Sequence, residues 1–97
     1  MKLSKHLRID DTLKFKKWHL SKIKKNRPAK GLFLLCTPIK EGELFEMMAA
    51  EFISERNQEV YVVAISRSEQ WVKGEIVHLI DAMYNTKHLT YEEIKSE

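Results

Sequence analysis

The chain has one cysteine, two prolines and three glycines in 97 residues, and each scarcity closes off a class of protein. Cys36 alone cannot form an internal disulfide, which fits a reducing compartment. Gly31, Gly42 and Gly74 are too scattered to build a phosphate-cradling P-loop or a dinucleotide fingerprint. The unbroken apolar runs, Leu32–Cys36 and Val60–Ile65, are far too short to cross a bilayer. The first residues, Met1–Arg8, carry charge with no apolar stretch behind it, so no signal peptide is expected. The expectation is a cytoplasmic protein without membrane association, of a length suited to a single domain, residues 1–97.

Acidic residues are the absence with most to say. Residues 1–40 hold 12 Lys/Arg against two acids, Asp10 and Asp11, whereas residues 41–97 hold five Lys/Arg against 12 acids. A pI near 9.0 hides this split. Segregation of this kind implies either an anionic partner for the basic part or attraction between the two ends.

What is present argues a fold. Gly31–Thr37 is a short apolar run between Pro28 and Pro38 and reads as a buried strand. Leu44, Phe45, Met48, Ala49, Phe52 and Ile53 recur at three- and four-residue spacing, which predicts an amphipathic helix from Glu41 to about Asn57. Val60–Ile65 is β-branched and continuous, a second buried strand. A second helix follows to about Asn85 on the stripe Trp71, Val72, Ile76, Leu79, Ile80 and Met83, with Ser66 or Ser68 as its cap. Gly74 inside it suggests close approach to the sheet. Thr90 and Glu93 have capping-box spacing before a short final helix.

Residues 1–30 form a basic segment with no clean period. Phe15, Trp18, Leu20 and Ile23 scatter around a helix, so a strand over about 15–23 is preferred, pairing antiparallel with 32–37 as a hairpin arm. Asp10-Asp11-Thr12 would serve a helix start equally well. The expectation is therefore a small two-layer α/β or α+β sandwich with about three strands, in the order β-β-α-β-α plus a short C-terminal helix. The two apolar strands should be parallel across a crossover.

Both strands are apolar on both faces, so both faces of the sheet must be covered. Each bare large side chain forfeits about 1.5–3 kcal/mol, and four or five would approach the roughly 5–15 kcal/mol stability of a small domain. The cover must be the N-terminal segment, a helix crossing over, or a second copy. A homodimer joined through the sheet or through the Trp71/Met47 side is expected on that ground.

Residues with chemistry are few. Cys36 near a strand end could mark a small enzyme's site, with Cys36–Lys40 and Ser66–Ser68 at one edge, but a lone strand cysteine is more often core. His78 and Asp81, three apart on a helix, fall short of the four ligands of a closed metal site. Glu41, Glu43 and Glu46 merely complement a helix start. No cofactor or metal is called for. The segment Lys14–Lys30 stands out, with eight Lys/Arg and no acid. Lys16, Lys17, Lys22, Lys24, Lys25, Arg27 and Lys30 could neutralise phosphates, and Trp18 with Phe15 could stack on unpaired bases. A solvated lysine-rich edge strand explains the same residues without a ligand. The expected function is a non-catalytic, self-associating interaction module, with a nucleic-acid-binding accessory protein as the alternative and an enzyme using Cys36 as the third.

Overall fold

A computed structural model describes residues 1–40 and 42–97, leaving the expected helix start at Glu41 outside the described residues. Four strands form one mixed sheet: β1 (Lys2–Ile9), β2 (Phe33–Cys36), β3 (Glu46–Ala49) and β4 (Tyr61–Ser66), in spatial order β1-β4-β2-β3. Three α-helices accompany it: α1 (Lys16–Lys24), α2 (Glu69–Ile80) and α3 (Tyr91–Ile94). The class is mixed α/β, with one strand more than expected.

The parallel pair is β1 with β4, not β2 with β4. The two strands read from the sequence lie antiparallel, Phe33 opposite Ser66 and Cys36 opposite Val62. The crossover reading fails because residues 42–57 do not form a helix. They fold as β3 followed by 3₁₀ turns at Ala50–Phe52 and Glu55–Asn57. Phe45 and Met47 pack on one side of the sheet while Met48 and Ala50 pack on the other, which is the alternation of a strand. Phe52, which a helix would have buried, is 71% exposed.

Residues 15–23 are likewise corrected, from strand to helix α1. The helix buries only His19 and Ile23, with Leu20 packed beside them. Those three positions form one narrow face. Phe15 and Trp18 stay outside the core, and their inclusion is what made the pattern look incoherent.

Both faces of the sheet are covered within one chain, making three layers rather than two. On one face Leu34, Cys36, Val62 and Ile65 pack with Ile23 of α1 and with Ala50 and Ile53. On the other, Leu35, Val63 and Ala64 pack with Val72 and Leu79 of α2 and Ile94 of α3. A register shift at Leu35/Cys36 sends the adjacent Val63 and Ala64 to the same face, breaking the simple alternation. Trp71 and Met47, expected at a dimer contact, pack partly buried against this second cluster. The uncovered face that motivated a homodimer does not exist.

Local signals held where chemistry was specific. The Ser68 hydroxyl accepts from the Trp71 amide at 3.2 Å, and the Thr90 hydroxyl accepts from Glu93 at 3.2 Å. Ser66 instead faces inward. Its hydroxyl donates to the Asp10 carboxylate at 2.6 Å and accepts from the Ser68 amide at 2.9 Å. Asp10 also accepts from the Thr12 amide at 3.0 Å, so the ends of β1 and β4 are tied into one corner. Gly74 meets nothing where a Cβ would stand, so it marks no close approach. None of the helices in the described residues is long and apolar enough to cross a membrane.

Candidate nucleic-acid interface

The end of the sheet where β1 and β4 terminate also holds the start of β2, because β2 runs the other way. His19 of α1 reaches Arg67 at this end while the last turn of the helix meets Met1, just before β1, and a groove of about 530 Å³ opens beside Arg67. Trp18, His19 and Lys22 supply one wall, and Pro28, Ala29 and Lys30 another. Arg67, just past β4, and Glu51, in the 3₁₀ turn after β3, complete the lining.

The walls are anchored by the backbone. The Ala29 amide donates to Ala50 at 3.1 Å, and the Ala50 amide donates to Leu32 at 2.9 Å. Gly31 has φ of +80°, a left-handed conformation that favours glycine, and a Cβ there would stand 3.0 Å from Arg67 Nη1. The turn and the arginine therefore fit each other closely. Arg67 Nη2 lies 3.4 Å from His19 Nε2.

His19 is 4% exposed. Burial first, then the charges of Arg67 and Lys22, pushes its imidazole below the ordinary histidine range. Arginine can only donate, so its contact with the ring needs an unprotonated Nε2. Nε2 then accepts from Arg67, and Nδ1 carries the proton with no hydrogen-bond partner among the described residues. The adjacent Trp18 ring meets the imidazole edge-on at 5.0 Å and is itself 58% exposed, with Lys22 Nζ 4.7 Å above its face.

A second depression, about 640 Å³, lies on the other flank of α1 and is lined by Leu3, Lys17, Leu20, Ser21, Lys24 and Lys25. The sequence-expected residues thus divide. Trp18, Lys22 and Lys30 border the first groove; Lys17, Lys24 and Lys25 border the second; Lys16 and Arg27 are exposed but line neither. Among the described residues, no cation between Lys14 and Lys30 makes an ion pair. The first turn of α1 contains no acid and its cap Phe15 provides no side-chain hydrogen bond. The positive end of the helix dipole therefore has no carboxylate from its own first turn. The lysine-rich edge strand is corrected, since Lys16, Lys17, Lys22 and Lys24 ride on α1 and no strand runs through 15–23.

Sequence reasoning placed Arg67 only within the Ser66–Ser68 stretch of the enzyme alternative, apart from the basic segment, and missed His19 and Glu51. Arg67 carried a signal, since it follows an apolar strand where α/β sheets place ligands. His19 and Glu51 carried none, because only the fold brings them to the groove.

The other candidate sites disperse. Cys36 is 2% exposed, and burial, then the nearby Glu46, pushes its thiol far above the ordinary range. It lies at the opposite end of the sheet from Ser66–Ser68, because β2 and β4 are antiparallel. No cluster of three potential metal ligands occurs among the described residues, and Asp81 accepts from Asn85 at 2.8 Å. Comparison with known proteins finds no matching family model, no matching curated protein and no matching solved structure.

Proposed function

We propose that the protein is a non-catalytic module that binds single-stranded nucleic acid across α1. One observation carries the reading: an exposed indole stands among cations that make no ion pair with a carboxylate among the described residues. Side chains held this way are open to phosphates, and an unpaired base would stack on the Trp18 face that Lys22 does not cover. Depressions on both flanks of α1, each bordered by lysines, support a track that crosses the helix. Single strands are favoured over duplex because stacking on Trp18 needs a base free of its pair.

Binding of a fluorescent single-stranded oligonucleotide, followed by anisotropy, tests this. With about four phosphates neutralised, affinity falls roughly fifty-fold between about 50 and 200 mM salt. Trp18→Ala lowers affinity about 5- to 150-fold, the value of one lost stack, while leaving stability within about 0.5 kcal/mol. Failure of wild-type protein to bind any oligonucleotide at low salt retires the reading.

A further inference from the structure

The groove beside Trp18 differs from the second depression in holding an arginine, Arg67, set against a backbone turn. Three cations, Lys22, Lys30 and Arg67, face it against one carboxylate, Glu51, while His19 adds no charge. The net of two positive charges matches a phosphate monoester, which carries about −1.5 to −2 near neutral pH, better than the single charge of an internal diester. Arg67 is the anchor best suited to it. Its guanidinium lies against the Gly31 turn and beside His19, and it makes no ion pair among the described residues. A planar fork held this way can give two parallel hydrogen bonds to one phosphate. The volume of about 530 Å³ lies within the range of small-molecule sites and suits one nucleotide.

We infer that this groove is a subsite for one nucleoside monophosphate unit, its phosphate monoester held by Arg67, Lys30 and Lys22 and its base stacked on Trp18. The inference rests on the proposed nucleic-acid reading and adds a terminal phosphate to it. Internal phosphates would bind along α1, and the groove would take a strand end. A free mononucleotide offers the same chemistry, so the test separates the two sources.

The experiment uses wild-type protein and short labelled oligonucleotides that differ only in carrying a phosphate or a hydroxyl at the 5′ end, and a second pair differing at the 3′ end. One phosphorylated member should bind about tenfold tighter than its hydroxyl counterpart, the value of one or two charge-assisted hydrogen bonds. Arg67→Ala should abolish that preference while the circular dichroism spectrum and the residual, salt-sensitive binding persist. Arg67→Lys, which keeps the charge but loses the fork, should restore it only in part.

A nucleoside 5′-monophosphate is then tested as competitor against its nucleoside. Displacement of the preferred oligonucleotide by the monophosphate, and not by the nucleoside, supports the subsite and adds free nucleotides to its ligands. A preference at one oligonucleotide end without such displacement supports it as a strand-end site. Equal binding of both members of both pairs, with no displacement at about 10 mM monophosphate, overturns it. Oligonucleotide binding that persists in that case leaves the broader reading standing. Monophosphate binding without any oligonucleotide binding would do the reverse.

Discussion

Lys2 and Arg8 of β1 each pair with a carboxylate, whereas the lysines of α1 make no ion pair among the described residues. Lys2 Nζ lies 2.9 Å from Glu59, and Arg8 Nη2 lies 3.5 Å from the buried Glu75. His6 between them lies 3.6 Å from Glu93. In this way the acidic part of the chain is drawn onto the first strand. α1 carries the same sign of charge and turns it outward. The split seen along the sequence thus has two outcomes at once: attraction between the ends through β1, and an unpaired basic surface on α1. A run of cations therefore says little about role until the partner of each is known.

The sharpest way to break this comparison is to loosen α1 from the sheet. Ile23 is fully buried and is the helix's main apolar anchor. Ile23→Ala should cost about 2–5 kcal/mol in urea denaturation, and a loss below about 1 kcal/mol would mean the helix is not the cover described.

The comparison is sharpened by removing charge from each element in turn. Replacing Lys17, Lys24 and Lys25 by Gln should lower the salt slope of oligonucleotide binding by about two without changing stability. Arg8→Gln should do the opposite, costing about 1 kcal/mol of stability and leaving binding unchanged, because it strands the buried Glu75. Equal effects of both on binding would erase the distinction.

Gly74→Ala probes the acidic side. With open space at the missing Cβ, the substitution should stabilise by about 1 kcal/mol in the same denaturation experiment. Destabilisation would show a packing constraint there.

The smallest effect concerns the corner shared by both regions. Hydrogen bonds from the Ser66 hydroxyl, then from the Thr12 amide, hold the Asp10 carboxyl below its ordinary range. Its stabilising contribution is full above the unfolded value of about 3.9 and disappears as pH falls through the lower folded value. Asp10→Asn should therefore be less stable than wild type at pH 7, with the gap closing on acidification below about pH 4. A gap that does not narrow would place the effect elsewhere.

How much of this was legible depended on whether local pattern and tertiary role agreed. β2, β4, α2 and the Ser68 and Thr90 caps were readable because apolar continuity or cap chemistry specified them locally. β1 was not, since its register shifts between Leu3 and Arg8 and its side chains alternate charge with modest apolar groups. The 41–57 segment misled because Leu44, Met48 and Phe52 mimic a helical stripe, although Phe52 remains exposed. α1 misled in the converse way, exposed Trp18 and the preceding Phe15 disguising a narrow helical face. The same aromatics and lysines were legible as a candidate site. Arg67, read only as part of the Ser66–Ser68 stretch, was not joined to the basic segment, because the groove unites residues 18 and 67 and only the fold creates that juxtaposition.

The central claim is that α1 presents cations and an indole to a nucleic-acid strand. Anisotropy of a labelled single-stranded oligonucleotide with wild-type protein and Trp18→Ala, each at low and at high salt, tests it most directly. The account predicts binding that weakens steeply with salt and that is at least about fivefold weaker in the variant at each salt concentration. Identical binding curves for the two proteins, or no binding at low salt, would contradict it.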